Sequence, residues 1–286
     1  MTKLPRFALH LCAVAALSAP FASAGKPVVI DHRCTKLESI PKTWIKKAKK
    51  DLHIAYGHTS HGSQLTTGMN GLATFVGGGG GPLFAWRRGG ENGALDLHDG
   101  AMGGDAGYYP RWVDETKKYL DNPANKQVNV VIWSWCGQVS GYTEERMIDH
   151  YLAPMSKLEK KYPKVTFVYM TGHLNISSRA NTKARNDQIR AFCKKNGKVL
   201  YDFADIESWD PDGKHYPYAD DACNYYDSHK KKLGNWAVEW QNSHKKGVDW
   251  YACPSAHSQP LNANRKAYAA WWLWARLAGW NGKSAS

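Results

Sequence analysis

The sequence predicts an α/β protein with three layers, in which helices cover both faces of a mainly parallel β-sheet. Two observations lead to this prediction. Short runs rich in β-branched and aromatic residues recur along the chain, and the stretches between most of them have the apolar spacing of amphipathic helices. This alternation favours an α/β/α sandwich, because each crossover helix packs on a face of the sheet.

The predicted strands are short and apolar on both faces, as is typical of strands buried between layers of helices. They span residues 52–56, 128–133, 165–170 and 198–201.

The predicted helices each have an apolar stripe and a polar face, and Gly197 follows the third helix as a helix stop. They span residues 110–121, 143–161, 179–196 and about 262 to 279. The last helix carries a stripe of mainly aromatic residues at helical spacing. This spacing favours packing of the stripe on the sheet over a role as a platform that stacks on sugars. The stripe consists of Tyr268, Trp271, Trp272 and Ala275.

The N-terminal residues have the layout of a cleavable secretory signal. Lys3 and Arg6 precede an apolar run, and Ala22-Ser23-Ala24 leads into Gly25. We therefore expect a signal peptide over residues 1–24, a single domain over residues 25–286, and a secreted or periplasmic location. Within that domain, residues 209–256 are rich in Tyr, Trp, Asp and Lys, which indicates a long aromatic-rich insertion.

The chain is basic, with 38 Lys and Arg against 25 Asp and Glu and a formal net charge of +13. This charge favours anionic surroundings. The lysine clusters at residues 46–50 and 230–232 are interpreted as solvated faces, since no nucleic-acid-binding motif accompanies them. The signal's apolar run is too short for a membrane anchor, and Arg276 interrupts the Trp-rich end of the chain, so we expect no membrane span.

The cysteines predict at least one disulfide. After the signal peptide the chain keeps Cys34, Cys136, Cys193, Cys223 and Cys253, an odd number that leaves at least one thiol unpaired within the chain. Cys223 and Cys253 enclose much of the aromatic-rich insertion, and a bridge between them would restrain a region with few aliphatic side chains. We predict that bridge, and a pairing of Cys34 with Cys193 is a further candidate.

Polar residues with catalytic chemistry follow the predicted strands, where parallel sheets bind their ligands. A turn after the first predicted strand holds Ser60 and Gly62, and His257 lies just before the last helix. A serine becomes a nucleophile when a base accepts its proton and fixed N–H groups stabilise the oxyanion. The combination predicts Ser60 as nucleophile and His257 as general base.

These residues resemble the SGNH, or GDSL-like, hydrolases, and the resemblance covers most of the mature chain. Ser60 matches the family's serine, and His257 with residues 261–264 resembles the segment that leads into the family's closing helix. Residues 186–190 and 201–203 look similar to the family's fourth helix and strand. The resemblance implies a flavodoxin-like sandwich and a serine esterase that works through an acyl-enzyme.

The sequence departs from the SGNH pattern in the residues that precede Ser60 and in those that precede His257. His58-Thr59 stand in place of the Gly-Asp that precedes the serine, and Pro254 stands where the acid three residues before the histidine would be. His257 is then oriented by Asp249, by a backbone carbonyl, or by no acid at all in a Ser-His dyad.

The oxyanion donors of the family also lack a direct match. Gly104 is the candidate for the glycine donor, and Gln138 is the candidate for the asparagine donor because its amide donates in the same way. In the expected reaction, His257 deprotonates Ser60, which attacks an ester carbonyl while the N–H groups of Ser60 and Gly104 and the Gln138 amide hold the oxyanion.

Several alternatives stay open. Ser63 lies in the same turn as Ser60 and is the alternative serine nucleophile. Cys136 follows a strand and could attack with a nearby histidine, although a structural thiol is the commoner situation.

His58 with His61 could hold an ion, but no HExxH or paired-Cys pattern is present, so we expect no metal or other cofactor. The glycine run at residues 77–81 lacks the ending of a phosphate loop and is predicted to be a flexible loop.

Export, positive charge and many aromatic residues are consistent with an acylated small molecule or polysaccharide as substrate, an acetyl ester being the simplest. A second class of function is a non-catalytic extracellular carbohydrate-binding protein on the same fold, because a fold alone does not establish activity.

Overall fold

A single parallel sheet runs through the molecule in the computed structural model, which describes residues 26–283. The predicted signal peptide lies outside the described residues. The sheet has seven strands, all parallel, which confirms the predicted α/β class and all four predicted strands. The strands are β1 (Val28–Ile30), β2 (His53–Gly57), β3 (Trp86–Arg87), β4 (Leu95–Met102), β5 (Val130–Trp133), β6 (Thr166–Met170) and β7 (Val199–Tyr201).

The strand order determines where a ligand site can form. The order is β1-β7-β6-β5-β2-β4-β3, and its inner strands β4-β2-β5-β6-β7 follow the flavodoxin-like chain order. From β2 the chain crosses to β4 on one side, and from β5 it crosses to β6 on the other. Strands β2 and β5 pair from Ile54 with Val130 to Gly57 with Trp133. A crevice opens beyond the carboxyl ends of such a pair, because the two connections leave in opposite directions.

Helices cover both faces of the sheet, as predicted. On one face α1 (Lys42–Asp51) and α2 (Ser63–Leu72) pack against α9 (Pro260–Leu277). The other face is covered by α3 (Arg111–Leu120), α4 (Glu144–Met147), α5 (Ala153–Lys161) and α6 (Arg179–Lys195).

The predicted helix over residues 143–161 is continuous but contains one π-helical segment, Ile148–Leu152, between α4 and α5. Pro154 explains this irregularity, because it has no N–H to donate to the carbonyl of His150. The indole Nε1 of Trp112 donates to that carbonyl instead, at 3.1 Å.

Helix α9 is buried along most of its length. Trp271 and Trp274 are fully buried, Trp272 is 9% exposed, and Tyr268 packs against the same core, so the predicted aromatic stripe is part of the core. The helix begins at Pro260 rather than near Asn262, in keeping with the preference of proline for the first helical position. Over residues 26–283, no helix combines the length and apolarity that a membrane span requires.

Residues 209–256 form a small unit beside the sheet. The unit contains a two-stranded antiparallel ribbon, β8 (Asn224–Tyr226) and β9 (Lys232–Asn235), and helix α8 (Trp236–Ser243); the short helix α7 (Phe203–Ile206) precedes it. It has a hydrophobic cluster of its own, in which Tyr216, Cys223 and Trp236 pack with Leu261 of α9. This contact attaches the segment near the carboxyl end of the sheet.

All four thiols are free in the structure, and the Cys223–Cys253 bridge and the pairing of Cys34 with Cys193 stay predictions. Each sulfur of the first pair faces its own polar neighbour: Cys223 Sγ lies 3.2 Å from Ser258 Oγ, and Cys253 Sγ lies 3.4 Å from Asn264 Nδ2. Burial raises the pKa of both thiols to about 12.

The crossing of α2 and α9 depends on Gly68. A Cβ at this position would lie 2.1 Å from the carbonyl oxygen of Ala263, which is backbone and cannot rotate away. Gly68→Ala should therefore lower the free energy of unfolding by about 1–3 kcal/mol, as overpacking does. Urea denaturation measures the change.

Gly141→Ala is the matched control, because a Cβ at Gly141 meets nothing within 4 Å. It should change the free energy of unfolding by less than about 0.5 kcal/mol. Equal effects of the two substitutions would contradict the role of Gly68.

Candidate active site

The loops that follow β2 and β5 meet at the switch point of the sheet. Gly62, in the turn after β2, allows the contact, because a Cβ there would lie 2.1 Å from Ser134 Oγ and 2.4 Å from His58 Cβ. Tyr56 holds the same turn by donating its hydroxyl to the Gly62 carbonyl at 2.9 Å. This close approach brings Ser60 and His61 beside Cys136.

His61 lies at the centre of the site. Its Nδ1 is 3.3 Å from Cys136 Sγ, and its Nε2 is 2.9 Å from a carboxylate oxygen of Asp221. The residue is 6% exposed. Burial lowers the pKa of His61 by more than the nearby Asp221 raises it, so the imidazole is neutral at neutral pH.

Asp221 comes from the aromatic-rich insertion. Burial alone would raise its pKa, but the hydrogen bond with His61 and the neighbouring histidines outweigh burial, and the pKa of Asp221 is lowered. The preceding Asp220 fixes the turn, since its carboxylate accepts the Asn224 N–H at 2.9 Å and the Tyr226 hydroxyl at 2.7 Å. No motif in the sequence marks Asp221, which is far along the chain from the other site residues.

The charge of Asp221 sets the tautomer of His61. A carboxylate only accepts hydrogen bonds, so the proton of the neutral ring is on Nε2 and the lone pair is on Nδ1. That lone pair faces the thiol of Cys136, which is partly exposed. Cys136, His61 and Asp221 therefore have the nucleophile, base and orienting-acid arrangement of a catalytic triad.

Three histidine rings are stacked in the site. His61 lies between His173, with ring centroids 3.9 Å apart, and His257, with ring centroids 4.4 Å apart. His173 follows β6 and is 8% exposed, whereas His257 is exposed and has a left-handed backbone, with φ of 62°. The sequence analysis considered His61 only as an ion ligand together with His58 and gave no role to His173, because stacking depends on tertiary contacts.

The predicted Ser60–His257 dyad is close to this centre but is not formed as a hydrogen bond. Ser60 Oγ lies 3.7 Å from Cys136 Sγ, and over residues 26–283 no hydrogen bond joins it to His257. Ser63 Oγ donates to the Ser60 carbonyl at 2.7 Å at the start of α2, which is a structural role. The alternative nucleophile Cys136 is the one that contacts a histidine.

The predicted oxyanion donors lie on loops that contact those of Cys136 and Ser60. Gln138 Oε1 accepts the backbone N–H of Cys136 at 3.1 Å, so the amide lies directly beside the thiol-bearing residue. Gly104 has a left-handed backbone, with φ of 94°, and the next residue, Asp105, accepts the Thr59 hydroxyl at 2.6 Å. Gln138 is thus bonded to Cys136 directly, whereas Gly104 is connected to the Ser60 turn through its neighbour Asp105.

Asp249, the predicted acid, lies elsewhere. Its carboxylate accepts the backbone N–H of Lys245 at 2.8 Å, and it lines a separate cavity with Trp240 and Arg265. In the part of the chain that the structure describes, no ion pair or hydrogen bond joins Asp249 to His257. The carboxylate that bonds to the central histidine, His61, is that of Asp221.

A buried ion pair between α9 and the residue Glu207 supports the loops of the site. Lys266 of α9 and Glu207 are both fully buried, with Nζ 2.7 Å from Oε2, and Lys266 also donates to Gln64 Oε1 at 2.5 Å. Glu207 accepts the N–H of Leu174, next to His173, and Gln64 donates to the carbonyl of Ala256, next to His257, both at 2.5 Å. One network thus fixes the backbone beside two of the three stacked histidines.

The sequence matches no protein-family model and no curated protein. Membership of the SGNH hydrolases is therefore a proposal, supported by the resembling residues and by the strand order. The chemistry of the site is inferred from its own geometry.

Substitution of the buried ion pair tests whether it supports the loops of the site. Glu207→Ala leaves Lys266 charged and unpaired in the core, so it should cost about 3–5 kcal/mol of unfolding free energy. Lys183→Ala, which removes an exposed pair with Asp187, should cost less than about 1 kcal/mol. Thermal and urea unfolding of both variants compare the two, and a small effect of Glu207→Ala would contradict the supporting role.

Proposed function

We propose that the protein is a hydrolase that cleaves a carboxylic ester through an acyl-enzyme, with Cys136 as the nucleophile. The position of His61 between the Cys136 thiol and the Asp221 carboxylate is the observation that carries this proposal. The location at the switch point of the sheet supports it, since α/β enzymes bind substrates there.

Each residue has one role in the proposed reaction. His61 Nδ1 takes the proton of Cys136, and the sulfur attacks the ester carbonyl to form a tetrahedral intermediate. His61 then gives the proton to the leaving alcohol, and the acyl group stays on sulfur as a thioester. A water that His61 deprotonates next releases the acid and restores the thiol. Asp221 holds the ring and stabilises its charged form, and we assign the Gln138 amide Nε2 to the oxyanion.

A serine mechanism is the second candidate. It is favoured by Ser60 Oγ, which lies 3.7 Å from Cys136 Sγ and so faces the same space, and by the resemblance to the SGNH hydrolases. In that mechanism His257 or His61 would act as the base. The two mechanisms predict different sensitive residues, so substitution separates them.

The surroundings of the site support an acylated carbohydrate as substrate. The loop after β4 carries Tyr108 and Tyr109, which are 52% and 41% exposed, and the Thr59–Asp105 hydrogen bond connects this loop to the Ser60 turn. Exposed aromatic rings stack on the apolar faces of sugars. The predicted signal peptide supports a substrate outside the cytoplasm, and the positive charge of the chain favours an anionic polymer.

Substitution of the triad tests the proposed mechanism. Cys136→Ala and His61→Ala should each lower the hydrolysis rate of short-chain p-nitrophenyl esters by at least about a hundredfold, because they remove the nucleophile or its base. Ser60→Ala should retain most of the activity. Cys253→Ala is the matched control, because this second partly buried thiol lies against Asn264 and not in the site.

Two outcomes would contradict the assignment. If Ser60→Ala abolishes hydrolysis while Cys136→Ala does not, the serine mechanism replaces the thiol mechanism. If the folded wild-type protein cleaves neither these esters nor acetylated polysaccharides, the non-catalytic carbohydrate-binding function replaces both.

A further inference from the structure

Two of the stacked histidines and Asp221 form a cluster with ligand geometry. His61, His173 and Asp221 each offer one ligand atom, and these atoms all lie within 4.8 Å of one another. The three residues come from separate parts of the chain: the turn after β2, the loop after β6, and the aromatic-rich insertion. The histidines are buried, while the Asp221 side chain is 29% exposed, so the cluster opens to solvent on the side of the carboxylate.

One ring nitrogen of His173 is free to act as a ligand. Its Nδ1 donates to the carbonyl of Leu174 at 2.6 Å, which leaves the lone pair of Nε2 free. Metal-binding histidines are commonly oriented in this way, with the second ring nitrogen bonded to a carbonyl or carboxylate. The backbone at Leu174 is itself fixed, because its N–H donates to the buried Glu207.

The donor set determines the class of ion. Two imidazoles and one carboxylate suit Zn²⁺, whereas Mg²⁺ and Ca²⁺ prefer oxygen ligands. Bond lengths of about 2.0–2.2 Å place neighbouring ligands of a tetrahedral zinc about 3.3 Å apart. His61 Nε2 and Asp221 Oδ2 are 2.9 Å apart, and the rings of His61 and His173 are parallel, with an interplanar angle of 5°. Binding therefore requires these two atoms to separate and one of the two rings to tilt, because the lone pair of an imidazole nitrogen lies in the plane of its ring. Three protein ligands leave a fourth position for water.

We propose that His61, His173 and Asp221 bind one Zn²⁺ ion. Zinc on Nε2 of His61 places the ring proton on Nδ1, the opposite tautomer to the one that the Asp221 hydrogen bond selects. The ring then donates to Cys136 and no longer accepts the thiol proton. Zinc binding to His61 and ester hydrolysis with His61 as the base therefore exclude each other. This consequence rests on the proposed function, whereas the proposed metal site does not.

Zinc binding to the metal-free full-length protein tests the site directly. After treatment with a chelator, the protein should take up one equivalent of Zn²⁺ in competition with a chromophoric chelator. His173→Ala and Asp221→Asn should each weaken this binding by at least about tenfold. Asp221→Asn keeps the size of the side chain, and circular dichroism of both variants confirms that they fold.

Two control variants exclude other binding sites. Cys136→Ala should keep the zinc, because the thiol is not a proposed ligand. His32→Ala should also keep it, although His32, Asp31 and Asp205 form the other cluster of this kind in the described residues. In that cluster Asp31 already pairs with the guanidinium of Arg33. Unchanged zinc binding in His173→Ala and Asp221→Asn, or no binding by the wild type, would overturn the proposal.

A parallel rate measurement separates the metal site from the proposed function. Hydrolysis that falls in proportion to bound zinc, and returns with a chelator, supports the exclusion at His61. Hydrolysis that is unchanged or faster with one bound zinc overturns the exclusion and leaves the metal site intact. A metal-free protein that is inert towards esters contradicts the proposed function, and the binding measurement alone then decides the zinc site.

Discussion

The buried ion pair of Lys266 and Glu207 is the interaction on which the arrangement of the site depends. Removing two charges from water is costly, and Coulomb attraction compensates only when further hydrogen bonds satisfy both groups. Here Gln64 and the N–H of Leu174 supply those bonds. Because Gln64 also bonds to the carbonyl of Ala256, one network with a fully buried centre connects α2, α9 and the loops of two histidines. An apolar core would hold the helices together but would not orient these loops.

Above this network, the topology of the sheet brings the reactive groups together. The connections from β2 and β5 diverge, and the close contact at Gly62 places His61 against Cys136 in the crevice between them. The sheet does not supply the acid. Asp221 comes from a segment with its own small hydrophobic core, so the sandwich and the aromatic-rich insertion each contribute part of one site.

His61 is the residue through which the two proposals for this site meet. Its Nδ1 faces a thiol and its Nε2 faces a carboxylate, and the position of one proton decides which nitrogen accepts. With Asp221 as the hydrogen-bond partner, Nδ1 is the base that a nucleophile needs. With a metal ion on Nε2, the same ring becomes a ligand. A single buried imidazole with two polar neighbours thus allows two chemical states without a change in fold.

The sequence by itself determined the class of fold, the four central strands, the long helices and the loops that would carry the chemistry. Hydrophobic periodicity is local, and parallel strands always present their carboxyl ends at one edge of the sheet. Which side chains meet at that edge was decided by the tertiary structure. Asp221 rather than Asp249 bonds to a histidine at the centre of the site, the Cys136 thiol lies beside a nitrogen of the same histidine, and Cys223 is buried in a small core. These pairings depend on how loops distant in sequence pack, and no local pattern encodes that packing.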